Sequence, residues 1–142
     1  MDAFFAAIYE GFHPLDLFYI ENFSNDMYSS GVYTSIGLIM LFSSLLLMAI
    51  YYFAVSNYGN FYKKVYWLFW ILIICIINFF AGYYNSLIAM EDLYVNSPEG
   101  HPYGFTQFFT FSMVNVFWTF FFCFVFSILL KIKSTRASKT PF

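Results

Sequence analysis

Three long segments without a single charged residue or proline constrain this chain more than any other feature of its sequence. They are residues 32–55, 65–84 and 108–130. About 20 apolar residues in a helix cross roughly 30 Å of hydrocarbon, and a backbone exposed to lipid must satisfy its polar groups internally. We therefore predict an all-α integral membrane protein with three transmembrane helices in these segments.

The composition supports a membrane location. Of the 142 residues, 61% are hydrophobic and only 10% are charged, against about 25% charged in soluble domains. A single domain of this length could not bury so much apolar surface in water. Much of the surface must therefore face lipid, the membrane interface or a partner protein.

Charge is divided cleanly between the segments that flank the spans. All eight acidic residues lie in residues 1–31 or 85–107, and the basic ones lie in the loop 56–64 and the tail 131–142. The basic residues are Lys63, Lys64, Lys131, Lys133, Arg136 and Lys139. The positive-inside rule predicts that loop and tail are cytoplasmic and that the N-terminus is outside. The composition suggests a bacterial inner membrane.

The segment 1–31 is expected to be an amphipathic outer element that begins with a short interfacial helix. Asp2 can cap this helix and Gly11 can end it, and Phe4, Phe5 and Ile8 would share one face. The helix could dock on the membrane surface or a partner, or it could form a lid over the ends of the spans, which we favour.

Small and polar residues recur along one face of each predicted span. At about 100° per residue they form a stripe on every helix. The members are Gly37 and Ser44 in the first span, Cys75, Asn78 and Gly82 in the second, and Ser112, Asn115, Thr119, Cys123 and Ser127 in the third. Small residues allow membrane helices to approach closely, so the stripes are predicted to form a helix-packing or oligomer seam. Lining of a pore in a homo-oligomer is the alternative.

Depth adds one specific expectation to the seam. Asn78 and Asn115 lie at roughly 20 and 23 Å from the cytoplasmic boundary at 1.5 Å per residue. The two amides could therefore form a hydrogen bond between antiparallel helices. Such a bond contributes on the order of 0.6–2 kcal/mol in a membrane.

The sequence offers little chemistry. The spans contain no Asp, Glu, Lys, Arg or His, whereas pumps and voltage sensors place charges at depth. His13 and His101 lie in the flanking segments, and no motif predicts a catalytic residue, a metal, a cofactor or a nucleic-acid partner. Basic residues in the loop and tail are expected to contact lipid headgroups, and the tail could also bind a cytoplasmic partner.

These features favour a non-enzymatic structural or scaffolding subunit of an oligomeric membrane assembly. It would act through helix packing and its outer segments, with membrane lipid and either further copies of itself or other membrane subunits as partners. The alternative is a homo-oligomeric pore or membrane-perturbing effector. A membrane-embedded enzyme acting on lipid or quinone is a remote third interpretation.

Overall fold

All regular structure in the described part of the chain is helical. The structure, a computed structural model, describes residues 2–11, 19–58, 61, 63–98 and 100–131. The helices are α1 (Asp2–Glu10), α2 (Glu21–Ser29), α3 (Val32–Phe53), α4 (Lys64–Leu93) and α5 (Phe105–Lys131), with a 3-10 turn at Val55–Asn57. Helices α3, α4 and α5 are long and apolar enough to cross a membrane. The predicted helical fold with three membrane-spanning helices is confirmed at this level.

Two of the long helices exceed the thickness of a bilayer core. At 1.5 Å per residue, α4 with 30 residues and α5 with 27 are about 45 and 40 Å long, against roughly 30 Å of hydrocarbon. Helix α4 continues past Tyr84 through the exposed Glu91 and Asp92 before it ends at Leu93. Both helices are therefore longer than an untilted crossing of the hydrocarbon requires.

Helix α1 is largely buried, and its buried face differs from the one that the sequence predicts. Phe5, Ile8 and Tyr9 are buried, whereas Phe4 is 62% exposed. Tyr9 follows Phe5 by four residues and so lies on the same face of the helix. The packed face is therefore centred between Phe5 and Tyr9, and Phe4 falls at its edge.

Helix α2 has no counterpart among the sequence-based expectations. Its residues read as a polar stretch, but Phe23 and Met27 lie one turn apart and are fully buried. Gly31 follows with a φ of 67°, a left-handed conformation that favours glycine and lets the chain turn directly into α3.

The described residues form two compact units. Unit 1 combines the described residues up to Ile39 with Phe79–Asn115, and unit 2 combines Met40–Asn78 with the described residues from Val116 onward. Among the described residues, the acidic ones all belong to unit 1, and the basic ones, Lys63, Lys64 and Lys131, all belong to unit 2. The charge division read from the sequence therefore coincides with a division of the fold.

The core of unit 1 is built from aromatic rings. Phe23 of α2 packs edge-on against Tyr103 and Phe108, with ring centroids 5.0 and 5.4 Å apart. Tyr9 of α1 packs against Tyr33 of α3 and Phe111 of α5 at 5.6 and 5.0 Å. Both short helices are therefore held to the long ones by ring contacts, which stabilise beyond the area that they bury.

The core of unit 2 contains buried polar side chains among apolar ones. The Trp67 indole N–H donates to Ser127 Oγ at 2.8 Å, and the Tyr52 hydroxyl bonds the same oxygen. Met48, Ile71 and Ile74 are buried around this group. The sequence position of Trp67 suits an interfacial anchor, and in the structure its ring is buried and its indole N–H has an acceptor inside the unit.

Candidate functional site

A recess lined by small residues of unit 1 receives helix α1. Gly37 of α3 is buried directly against the ring of Phe5, and a Cβ at Gly37 would overlap that ring. The absence of a side chain at this position therefore makes room for Phe5. We call the surroundings of Gly37, Gly82 and Asn115 the N-terminal recess.

The N-terminal recess also offers a polar anchor to α1. The Tyr9 hydroxyl donates to Asn115 Oδ1 at 2.7 Å, and both side chains are fully buried. Burial raises the pKa of Tyr9 far above its usual range, so the phenol remains a donor at physiological pH. The bond joins the first helix of the chain to the middle of the last one.

Asn115 lies well inside the candidate span α5. It is ten residues from the start of α5 at Phe105, which is about 15 Å along the helix axis. Gly82 of α4 faces it, since a Cβ at Gly82 would come within 3.0 Å of Asn115 Nδ2. Gly82 and the amide thus fit together closely, and the Tyr9 hydroxyl bonds the amide oxygen inside the unit.

Unit 2 contains the other half of the predicted seam. Asn78 Nδ2 donates to the Ile74 carbonyl at 3.1 Å, and Asn78 Oδ1 accepts from Ser43 Oγ at 2.9 Å. Ser44 is fully buried, and its hydroxyl has no hydrogen-bond partner among the described residues. Most polar atoms of this half are therefore bonded within the unit.

The residues of the predicted seam are turned inward. Nine of the ten are buried and only Cys75 is partly exposed. Ser112 donates to the Phe108 carbonyl of its own helix at 2.7 Å, while Thr119 and Cys123 are fully buried. Asn78 belongs to unit 2 and Asn115 to unit 1, and the hydrogen bond predicted between them stays a prediction.

The described residues include three of the basic positions predicted to contact lipid headgroups. Lys63 and Lys64 are exposed at the start of α4, and Lys131 is partly exposed at the end of α5. Lys133, Arg136 and Lys139 lie outside the described residues, as does the tail proposed for a partner.

A clasp around Asp26 was not foreseen from the sequence. Asp26 Oδ2 accepts hydrogen bonds from the Tyr94 hydroxyl at 2.7 Å and from the Tyr103 hydroxyl at 2.5 Å. We call these three residues the Asp26 clasp. It fastens α2 to the segment between α4 and α5. No sequence signal could reveal it, because the partners are 68 and 77 residues away.

The clasp shifts the titration of both tyrosines. The hydrogen bond to the Asp26 carboxylate raises the pKa of Tyr94, whereas burial, followed by that hydrogen bond, raises the pKa of Tyr103. His101 stacks on Tyr103 at 6.3 Å, and its buried Nδ1 has no partner among the described residues. The phenols of Tyr94 and Tyr103, as donors to the Asp26 carboxylate, hold the segment between α4 and α5 against α2.

The described residues contain no group of three or more His, Cys, Asp or Glu side chains that could hold a metal ion. Comparison of the sequence with models of known protein families, with curated proteins and with solved structures found no match.

The fit of Phe5 against Gly37 leads to a first prediction. Gly37→Ala should lower the free energy of unfolding by about 1–3 kcal/mol, because the new methyl group must displace a packed ring. Thermal unfolding of the full chain in mild detergent measures this. Gly104→Ala is the matched control, since a Cβ there meets only Gln107, at 3.5 Å.

The same substitution has a diagnostic partner. In the Gly37→Ala/Phe5→Ala double variant the overlap is gone. The double variant should therefore lose less unfolding free energy than the sum of the losses in the two single variants. Equal stability of Gly37→Ala and Gly104→Ala would contradict the placement of Phe5 in the N-terminal recess.

The Tyr9–Asn115 bond leads to a second prediction. In a double-mutant cycle, Tyr9→Phe and Asn115→Leu should show a coupling of roughly 0.6–2 kcal/mol, since each change alone removes the same bond. Denaturant titration in mixed micelles gives the four free energies. Tyr9→Phe combined with Ser112→Ala is the control pair and should be additive, because Ser112 bonds within its own helix. A cycle without coupling at Asn115 would show that α1 is held by apolar contacts alone.

The Asp26 clasp leads to a third prediction, on pH. Both tyrosine pKa values are raised on folding, so their contribution to stability is complete below about pH 10, the usual tyrosine pKa, and is lost as pH rises beyond it. Tyr94→Phe/Tyr103→Phe should lower the melting temperature at pH 7 and make its decline above pH 10 shallower. Tyr58→Phe, at an exposed position, is the control. If the melting temperatures of wild type and double variant fell in parallel above pH 10, the clasp would be ruled out as the cause of the alkaline loss of stability.

Proposed function

We propose that this chain is a non-enzymatic structural subunit of a larger membrane protein assembly. It acts through its packed helices and through the surface that α1, α2 and the segment between α4 and α5 build in unit 1. One observation carries the proposal. This surface presents large apolar side chains that lie outside the candidate spans and are held in a fixed arrangement.

The exposed side chains sit next to the groups that fix the surface. Val95 is 74% exposed and follows Tyr94 of the Asp26 clasp, while Tyr28 is 48% exposed and follows Asp26 by two residues. Tyr19 is 61% exposed near the start of α2. A partner protein or the membrane interface would cover these exposed apolar groups and remove them from water. A clasp that orders them before binding reduces the entropic cost of association.

The proposed orientation places this surface outside the cytoplasm. By the positive-inside rule the basic segments 56–64 and 131–142 would face the cytoplasm, and the acidic segments 1–31 and 85–107 would face the other side. With the bacterial inner membrane as the proposed location, partners at the unit 1 surface would be periplasmic or would span the same membrane.

Inward burial of the polar stripe also supports a structural role over a pore. Ser112, Asn115 and Thr119 were the expected lining of a homo-oligomeric channel, and all three are buried within a single chain. A pore formed by this stripe would require the helices to separate and break the Tyr9–Asn115 bond. The pore therefore remains the alternative without a structural observation in its favour.

Site-specific photocrosslinking in the producing cell tests the proposal, which is the fourth prediction. A photoreactive amino acid at Val95 or Tyr28 should crosslink to protein, whereas one at Phe42, exposed within α3, should crosslink to lipid. Asp26→Asn should weaken the protein crosslinks by loosening both segments of the clasp. Native mass measurement of the gently purified chain provides the second readout. A lone monomer, together with no protein crosslink at either position, would overturn the proposal.

A further inference from the structure

We propose that a groove between α4 and α5 in unit 2 binds an acyl chain of one anionic phospholipid, whose phosphate is held at Lys63 and Lys64. This site is separate from the unit 1 surface and does not depend on the proposed function. It assigns a specific lipid to one place on the molecule, which goes beyond a general attraction between basic residues and the bilayer.

The groove has the shape and chemistry of an acyl-chain site. Its volume is about 440 Å³ and its lining is entirely apolar. Leu68 and Leu72 of α4 form one wall and Phe117 and Phe120 of α5 form the other, and all four are exposed. The buried Ile71 and the partly exposed Cys75 belong to the α4 side of the lining. With no hydrogen-bonding group to satisfy, such a surface favours a hydrocarbon chain over any polar ligand.

Two lysines stand at one end of the groove. Lys64 precedes Leu68 and Leu72 by four and eight residues, so the three share one face of α4. Lys63 and Lys64 are both exposed, and a long lysine side chain reaches the headgroup level while its stem follows the helix. Both also lie at the start of a helix, where the helix dipole favours a negative group. A phosphate at this place would thus meet two ammonium groups and a positive helix end.

The length of the groove selects a lipid rather than a partner helix. On α4 the lining runs from Leu68 to Cys75, which is seven residues or about 10 Å and fits within one half of a hydrocarbon core of roughly 30 Å. A lipid of one leaflet has its phosphate at the surface and its chains in that half of the bilayer. A helix that crossed the membrane alongside α4 would need a contact line through both halves. The described groove therefore matches one leaflet and the charge of an anionic headgroup.

Native mass spectrometry of the full chain tests this inference, which is the fifth prediction. The purified protein is titrated with phosphatidylglycerol or with phosphatidylcholine, and the first bound lipid is quantified. Wild type should bind phosphatidylglycerol preferentially. Lys63→Gln/Lys64→Gln should weaken the first binding step about 25-fold, at roughly fivefold per lysine. Leu72→Trp, which fills the groove, should weaken it as well, and Leu68→Trp serves as a second filling variant.

Matched controls separate the site from general effects. Lys133→Gln/Lys139→Gln removes the same charge from the tail, and Leu46→Trp adds the same ring at an exposed position of α3. Both should leave the first binding step within about twofold of wild type, a difference well below the contribution of one lysine.

Three results would overturn the inference. Equal losses in the two lysine double variants would show unspecific attraction to anionic lipid. Equal affinity for both lipids would remove the role of the headgroup. A change in oligomeric mass caused by Leu72→Trp and Leu68→Trp, with lipid binding unchanged, would instead assign the groove to a second copy of this chain.

Discussion

Buried amide and indole groups inside the candidate spans bond to partners within the protein, and the rest of this structure depends on these bonds. Water is not available in hydrocarbon, so an unpaired amide or indole there costs free energy. Asn115 accepts from Tyr9, Asn78 accepts from Ser43, and Ser127 accepts from Trp67. Each bond ties together segments that are far apart in the sequence. These hydrogen bonds thereby favour the packing of particular helix faces against one another.

Helix α1, which is not one of the three long helices, is also held by a buried hydrogen bond. In unit 1 it fills a recess where Gly37 leaves space for Phe5 and where Asn115 offers an acceptor to Tyr9. Shape and hydrogen bonding therefore act together on one short element of nine residues. A helix of that length is marginal on its own in water. Packing in the N-terminal recess stabilises α1. In turn, the Tyr9 hydroxyl of α1 bonds the buried Asn115 amide of the recess.

The two units present different chemistry to their surroundings. Unit 1 carries the described acidic residues, the Asp26 clasp and exposed apolar side chains such as Val95, the surface proposed for a protein partner. Unit 2 carries the lysines at the start of α4 and an apolar groove, which together suit an anionic lipid. The same segregation of charge that orients the chain by the positive-inside rule would thus also divide its two proposed kinds of contact.

The sequence by itself determined the helical class, the three long apolar helices and the division of charge, because these depend only on local composition and on the thickness of a bilayer. Helical periodicity also identified the small-polar faces that the structure buries. Only the tertiary structure decided their partners. The sequence paired Asn115 with Asn78 by depth, but depth cannot show that α1 brings Tyr9 to the same amide. Likewise, only the structure shows that Trp67 donates to Ser127. It also shows that Asp26 accepts hydrogen bonds from tyrosines some 70 residues away. Local patterns specify which faces are polar, whereas long-range packing specifies what each polar face meets.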